Sequence, residues 1–318
     1  MTRSDEAVVE LADRAKEGDQ RALGRLITLV ENGGAQVRQV AAALPVVHRA
    51  ARVIGLTGSP GVGKSTTTTA LVTGYRKQGL RVAVLAVDPS SPFTGGAILG
   101  DRVRMQEHAL DPEVFIRSMS SRGHLGGLAA ATPQVLRVLE ASGFDVILIE
   151  TVGVGQAEVD IAGLADTTLV LLAPGMGDGI QAVKAGILEV ADVFVINKSD
   201  RDGADATLRD IRSMMALVTR EPNEWRQPIV KTVAHRGEGI DELIEAVDKH
   251  RDWLAEHGEL DRRRRERAKA EISAIVLGAL ARRHVVTDEI SERVATADID
   301  PYSAADEILG DAVEIPGT

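Results

Sequence analysis

Cysteine is absent from the 318-residue chain, and aromatic residues make up only 3% of it. Without cysteine the protein can form no disulfide, no thiolate nucleophile, no iron–sulfur cluster and no cysteine-ligated zinc site. Long apolar runs are also missing, since stretches such as Ile275–Ala281 fall far short of the roughly 18 residues that a membrane span needs. The first residues include acids and show neither a secretory nor a transit pattern, so we expect a cytoplasmic protein.

Positive charge is in deficit, with 37 Lys and Arg against 47 Asp and Glu and a formal net charge of −10. This balance argues against nucleic acid or an anionic membrane as a partner. Four consecutive arginines, Arg262–Arg265, are flanked by acidic residues, and we interpret them as a solvated or interface-forming helix face.

The spacing of apolar residues divides the chain into three segments. Residues 1–50 show helical spacing and predict an N-terminal helical segment. Residues 51–257 alternate short apolar runs with helical patterns, and near-continuous runs of this kind favour strands that are covered on both faces. Residues 258–318 predict a C-terminal helical extension. The fold class is therefore α/β, a doubly wound and mainly parallel sheet with helical additions, and the predicted strands are Val53–Leu56, Val82–Val87, Val146–Ile149, Leu169–Ala173, Val193–Ile196 and Ile229–Val233.

A glycine-rich loop follows the first predicted strand and matches the pattern G-x-x-x-x-G-K-[ST] at every specified position. The strand leads into the loop and a predicted helix, Ser65–Lys77, leads out of it. Backbone N–H groups and the positive end of that helix would converge on phosphate. Lys64 would reach the β- and γ-phosphates, and the Ser65 hydroxyl would ligate Mg²⁺. The predicted nucleotide-binding residues here are Gly58, Ser59, Pro60, Gly61, Val62, Gly63, Lys64, Ser65 and Thr66.

The tetrad Asn197-Lys198-Ser199-Asp200 follows the predicted strand Val193–Ile196 and matches N-K-x-D, the guanine-reading signature of GTPases. Asp200 can accept hydrogen bonds from guanine N1–H and N2–H₂, a donor pair that adenine lacks, which favours GTP over ATP by about 10²- to 10⁴-fold. Lys198 would lay its aliphatic stem along the base, and Asn197 would brace the phosphate loop. Two further residues, Val233 and Ala234, are candidates for a backbone contact to the base.

Acidic residues end two other predicted strands. Glu150 and Gly153 stand where most GTPases have Asp-x-x-Gly, so Glu150 takes the place of the carboxylate near Mg²⁺ and Gly153 that of the γ-phosphate sensor. Asp88 ends the second predicted strand, from which it could approach the metal or the attacking water.

These segments, together with residues 88–92, 95–102 and 122–128, closely resemble the MeaB/MMAA family within the SIMIBI class of P-loop GTPases. The resemblance implies a GTPase chaperone of adenosylcobalamin-dependent methylmalonyl-CoA mutase, which gates cofactor delivery from an adenosyltransferase and protects or reactivates the mutase. It also implies a homodimer formed through the C-terminal extension. By the same resemblance, Asp88, Asp101 and Glu150 form an acidic set around Mg²⁺, and Lys184 enters the nucleotide site from a switch loop when the partner is engaged.

Two alternatives remain open. A metallochaperone GTPase of the nickel-insertion type would need a metal-relay cluster, whereas cysteine is absent and the seven histidines are scattered. An ATP-driven kinase or transport ATPase is disfavoured by Asn197–Asp200. The prediction is therefore Mg²⁺-dependent, partner-stimulated hydrolysis of GTP to GDP and phosphate, with Lys64, Asp88 and Lys184 as catalytic residues.

Overall fold

The fold is taken from a computed structural model, which describes residues 3–45, 50–88, 108, 110–120, 131–151, 157–175, 188–217, 223–283 and 286–310. The chain forms two compact units, Met1–Arg264 and Arg265–Thr318. The larger unit contains the sheet. The smaller unit contains most of the helix Glu259–Arg283 and two short helices, Asp288–Ala295 and Pro301–Leu309.

Within the residues that the structure describes, seven parallel strands form one sheet in the order β3-β2-β4-β1-β5-β6-β7. The central strand β1 lies between β4 and β5, and successive strands are added on both sides of it. Open α/β sheets bind ligands beyond the carboxyl ends of the strands at such a switch point. The strands are β1 Arg52–Thr57, β2 Val82–Asp88, β3 Val114–Ser120, β4 Val146–Thr151, β5 Thr167–Leu172, β6 Val193–Ile196 and β7 Ile229–Lys231.

Helices pack on both faces of the sheet, as the alternation along β4 illustrates. Ile147 and Ile149 belong to the hydrophobic core shared with the N-terminal helices, whereas Val146 and Leu148 belong to the core on the opposite face. Both sets are buried, which explains why the strand reads as an uninterrupted apolar run. The helices in the described part of the larger unit are Arg3–Lys16, Gln20–Asn32, Ala35–Ala43, Lys64–Lys77, Thr132–Ala141, Ala157–Leu164, Leu188–Val190, Ala204–Met215 and Ile240–Glu256, followed by the start of Glu259–Arg283.

The N-terminal helices cover the edge strand β3. The Gln20 side chain donates hydrogen bonds to the carbonyls of Pro112 and Val114 at 3.1 and 3.0 Å, and Arg117 on β3 forms an ion pair with Glu31. These contacts protect an edge that would otherwise expose unpaired backbone groups.

All six predicted strands are present, with bounds within two residues of the prediction, and the doubly wound parallel fold is confirmed. The strand β3 was not predicted. Among the helices given above, none combines the length and the apolar character that crossing a bilayer requires.

The interpretation of Arg262–Arg265 as a solvated or interface-forming face is wrong for two of the four arginines. Arg263 donates to both carboxylate oxygens of Asp192 at 2.8 and 2.9 Å, and Arg264 donates to Asp166 at 3.0 Å. The two aspartates immediately precede β6 and β5 and are almost fully buried. Their charge draws the arginines onto the amino edge of the sheet, opposite the glycine-rich loop.

Candidate functional site

The glycine-rich loop connects β1 to the helix Lys64–Lys77 at the carboxyl edge of the sheet. Gly58, Gly61 and Gly63 have φ angles of +140°, +83° and +98°, a region that residues with side chains rarely adopt. A Cβ atom at Gly58 would lie 2.3 Å from the carbonyl oxygen of Leu171, so the loop packs directly against β5. The loop ends at a helix N-terminus, whose free N–H groups and positive dipole end favour an anion.

Lys64 is only 8% exposed, and its ammonium group is held against the loop itself. Its Nζ atom donates to the carbonyl oxygens of Gly58 at 2.6 Å and Ser59 at 3.3 Å. A phosphate in the loop would offer the same cation charged acceptors, which form stronger hydrogen bonds than carbonyls. Of the other loop residues, Val62 is buried, whereas Pro60 and Thr66 are exposed.

Glu150, near the end of β4, connects the sheet to the first turn of the loop helix. Its carboxylate is 2% exposed and accepts a hydrogen bond from Ser65 Oγ at 2.6 Å on Oε1 and another from Thr68 Oγ1 at 3.0 Å on Oε2. The structure thus brings together the two residues that the sequence suggested for a metal, Ser65 and Glu150, although they are 85 positions apart.

Asn197 links three segments of the site. Its amide nitrogen donates to the carbonyl oxygen of Val62 at 2.9 Å. Its amide oxygen accepts from the backbone N–H of Ala234 at 3.1 Å and from the hydroxyl of Thr232 at 3.2 Å. The side chain is 2% exposed, so it holds the glycine-rich loop, the end of β6 and the turn after β7 in a fixed arrangement.

Lys198 and Asp200 lie beside this junction. Lys198 has a φ of +56°, and its Nζ atom donates to the carbonyl oxygen of Gly61 at 2.6 Å, which extends the side chain over the glycine-rich loop. The Asp200 carboxylate lies 3.5 Å from the guanidinium of Arg236. A carboxylate in this position can accept two donors of a planar ring that enters above Lys198.

Val233 and Ala234 are buried and form the turn that faces Asn197. The N–H of Val233 donates to the carbonyl oxygen of Glu238 at 3.0 Å, and that of Ala234 donates to the Asn197 side chain. Both N–H groups are therefore used within the protein in this structure, and the backbone contact of these two residues to a base stays a prediction.

Four predicted site residues need separate mention. The backbone of Asp88 ends β2, next to β4 and therefore one strand away from Glu150, but its side chain lies outside the part of the chain that the structure describes. Asp101, Gly153 and Lys184 also lie outside the described residues.

The donor set suits Mg²⁺. The cation prefers hard oxygen ligands and is usually bound through one or two protein groups together with phosphate oxygens and water. Ser65 and Glu150 supply a hydroxyl and a carboxylate at the phosphate loop. Within the described ranges there is no group of three or more His, Cys, Asp or Glu side chains that could hold a metal by itself.

Sequence reasoning named Thr232 only as part of the segment Thr232-Val233-Ala234 that could contact the base, and it missed Thr68 and Arg236. Thr68 was detectable in principle, because it follows Ser65 by three positions and residues with this spacing share one face of a helix. The contacts of Thr232 and Arg236 depend on how the turn after β7 approaches the end of β6, and no local pattern encodes that approach.

Comparison with known proteins adds a family. A family model described as methylmalonyl-CoA mutase-associated GTPase MeaB matches residues 23–289. A protein of Pyrococcus abyssi, named as a GTPase, is 49% identical to this chain over 312 residues. The match covers 96% of this chain and 96% of that protein. The mitochondrial methylmalonic aciduria type A homolog of Mus musculus is 36% identical over 274 residues, covering 80% of this chain and 65% of that protein.

Among solved structures, one described as an LAO/AO transport system kinase matches with a TM-score of 0.71 and 25% identity. The match covers 97% of this chain and 98% of that one, so the similarity extends over the sheet and the terminal helices alike.

Proposed function

Because the chain belongs to the MeaB family of P-loop GTPases, we propose that its hydrolysis of GTP serves an adenosylcobalamin-dependent methylmalonyl-CoA mutase. The protein would gate delivery of the cofactor from an adenosyltransferase and protect or reactivate the mutase. The family's description names methylmalonyl-CoA mutase, and the mouse relative's name refers to methylmalonic aciduria, which supports a partner in methylmalonyl chemistry.

The observation that carries the nucleotide-binding part of the proposal is the junction built by Asn197. Its hydrogen bonds to Val62 and Ala234 join the phosphate loop and the turn after β7 to the residue that follows β6, three positions before Asp200. Gly58 to Thr66 would surround the phosphates, Lys198 would line the base, and Asp200 would accept guanine N1–H and N2–H₂.

Hydrolysis requires in-line attack of water on the γ-phosphate, and the protein acts by positioning and charge stabilisation. Lys64 would leave its carbonyl partners for the β- and γ-phosphate oxygens. Asp88, at the end of β2, would approach the metal or the attacking water, and the Gly153 N–H would sense the γ-phosphate. Lys184 would add a second cation when the mutase is engaged, much as an arginine finger does.

Ser65, Asp88, Asp101 and Glu150 would hold Mg²⁺, of which Ser65 and Glu150 adjoin in the described structure. When bound, the ion would supply positive charge that offsets the negative charge developing on the phosphate oxygens.

A homodimer through residues 258–318 is also part of the proposal. Apolar side chains are exposed on the helix Glu259–Arg283, with Ile272 at 61%, Ile275 at 50% and Val276 at 50%. Their spacing of three and four positions puts them on one helix face, and an exposed apolar stripe of this kind favours association.

GTP hydrolysis by the purified protein, measured with and without the mutase, tests the proposal. We expect the mutase to raise the rate by about tenfold or more, and Lys184→Ala to lower the stimulated rate more than the basal rate. Serum albumin in place of the mutase is the control. An unchanged rate at saturating mutase would contradict the partner assignment while leaving the GTPase assignment intact.

The alternative of an ATP-driven kinase or transport ATPase is supported only by the name of the solved relative. That name does not identify a phosphoacceptor residue in this chain. The metallochaperone alternative gains no metal-relay cluster from the part of the chain that is described. Neither alternative has an observation in its favour comparable with the family match.

A further inference from the structure

We propose that Thr68 is a positioning residue for the metal site: it orients the Glu150 carboxylate, which in turn orients the hydroxyl of Ser65. The inference rests on the proposed role of Ser65 and Glu150 in holding Mg²⁺. It concerns a residue outside the sequence patterns of the phosphate loop.

The geometry gives each carboxylate oxygen its own hydroxyl donor. Ser65 donates to Oε1 of Glu150 at 2.6 Å, and Thr68 donates to Oε2 at 3.0 Å. The two hydroxyl residues are one turn apart on the same helix, so the carboxylate spans that turn. Thr68 has no exposed surface and Glu150 has 2%, so water does not compete for these bonds.

A second acceptor lies near Thr68, because the carbonyl oxygen of Lys64 is 3.0 Å from the same hydroxyl. Bonding to a carbonyl one turn back is the ordinary behaviour of a threonine in a helix. The carboxylate is the stronger acceptor of the two because it is charged. The single hydroxyl proton is therefore assigned to Glu150, with the Lys64 carbonyl as the weaker competing acceptor.

A hydrogen bond from Thr68 matters more for a glutamate than it would for an aspartate. Glutamate carries one more rotatable bond than the aspartate that most GTPases place here, so a fixed carboxylate costs more conformational entropy. A ligand or metal-organising group acts well only when its rotamer is locked by packing and hydrogen bonds around it. The Thr68 hydroxyl provides that lock on the oxygen that Ser65 does not use.

The orientation passes on to Ser65. A serine hydroxyl has one proton and two acceptor lone pairs. When its proton points to Glu150 Oε1, the lone pairs point elsewhere and remain free for a cation. Thr68 therefore contributes to metal binding without touching the metal, as supporting residues of metal ligands commonly do.

The test uses Thr68→Val, which keeps the shape of the side chain and removes its hydroxyl, and Thr68→Ser, which restores the hydroxyl. The matched control is Thr67→Val. Thr67 is equally buried on the same helix turn, but its hydroxyl donates to the carbonyl oxygen of Gly63 at 3.0 Å rather than to Glu150. Thr68→Ala replaces Thr68→Val if the latter does not fold.

The measurement is GDP affinity by calorimetry in the presence of Mg²⁺ and of EDTA, and the readout is the ratio of the two affinities. In Thr68→Val we expect this ratio to fall by about tenfold or more, with GDP affinity in EDTA retained. Thr68→Ser and Thr67→Val should keep the wild-type ratio. In a Glu150→Gln background, Thr68→Val should cause little further loss, because the two residues act in series.

Three results would overturn the inference: a wild-type ratio in Thr68→Val, an equal loss in Thr67→Val, or a full additional loss in the Glu150→Gln background. Failure of the wild-type protein to bind GDP at all is a different result. It would contradict the proposed function of the site, and the role of Thr68 would fall with it.

Discussion

We expect base recognition to depend on the carboxylate of Asp200. Replacing this residue with asparagine puts an N–H donor where guanine N1–H and N2–H₂ need an acceptor. We expect Asp200→Asn to weaken GTP binding by about 10²-fold or more, since each charge-assisted hydrogen bond contributes about 1.5–3 kcal/mol. We expect the same variant to bind xanthosine triphosphate more tightly than the wild type does. Competition against a fluorescent guanine nucleotide measures both changes. An unaltered preference between the two bases would contradict the assignment.

Arg236 offers a control for that experiment. It lies 3.5 Å from Asp200, but the pair is largely solvent-exposed, and such pairs contribute little. Arg236→Ala removes the charge next to Asp200 without altering the carboxylate. The variant should keep the wild-type preference for guanine.

Single residues differ in how well the sequence predicts them. Lys64, Ser65 and Asn197 stand in short patterns whose geometry is encoded locally, and the structure brings them to one edge of the sheet. Thr68 and Arg236 stand in no such pattern. Their partners Glu150 and Asp200 come from other segments, so their roles emerge only after the strands are aligned.

The loop between β1 and its helix depends on the absence of a side chain at Gly58. An alanine there would bring Cβ to 2.3 Å from a backbone oxygen of β5 at a φ of +140°. We expect Gly58→Ala to lower the free energy of unfolding by about 2 kcal/mol or more and to weaken GDP binding, because strained backbone must move. Denaturant unfolding and GDP titration measure the two effects.

Gly61→Ala is the matched control within the same loop. The residue also has a positive φ of +83°, but a Cβ atom would meet no heavy atom of the described structure within 4 Å. Only the left-handed backbone then opposes alanine, at a cost of about 1 kcal/mol. An equal decrease in the free energy of unfolding in Gly58→Ala and Gly61→Ala would show that contact with β5 is not what makes Gly58 necessary.

A buried charge network fixes the amino end of β6. Burial by itself raises the pKa of Asp192, but the His250 imidazole 3.2 Å away and the hydrogen bonds from Arg263 outweigh it and hold the pKa below its ordinary value of 3.8. A lowered pKa in the folded state means that the ionised carboxylate stabilises the protein above pH values near 3.8. That contribution is lost as the pH falls through the folded-state pKa.

We therefore expect Asp192→Asn to lower the free energy of unfolding by about 3 kcal/mol at neutral pH, with the difference from wild type shrinking below about pH 4. Urea unfolding followed by tryptophan fluorescence measures it, because the ring of Trp225 lies 4.8 Å from that of His250. Asp205→Asn, which alters an exposed pair with Lys231, is the control and should change little. A difference that stays constant from neutral to acid pH would contradict the role of Asp192.

At the level of secondary structure, a strand can be predicted from the sequence when its residues are buried on both faces. The strand β6 is buried at all four positions and was predicted with its observed bounds. The edge strand β3 was missed because polar residues interrupt its apolar run. One of them, Arg117, is satisfied by Glu31 and Thr28 of the N-terminal helices, a pairing across 86 or more positions that local periodicity does not reveal.

At the scale of the whole molecule, the exposed apolar stripe of the helix Glu259–Arg283 predicts self-association. A charge in the middle of the stripe would have to be desolvated in a dimer. We expect light scattering after size exclusion to give a dimer for the wild type and a monomer for Ile275→Glu. Ala274→Glu adds the same charge at an exposed position on the opposite side of the helix and should remain dimeric. A monomeric wild type, or a dimeric Ile275→Glu, would contradict the prediction.

The most direct test of the central claim, that Asp200 and the loop from Gly58 to Thr66 form one guanine-nucleotide site, is competition binding by the intact wild-type protein. Labelled GDP is bound in the presence of Mg²⁺ and displaced by GTP or by ATP. We expect ATP to require a concentration at least about 10²-fold higher than GTP for equal displacement. Displacement by ATP at the same concentrations as GTP would contradict it.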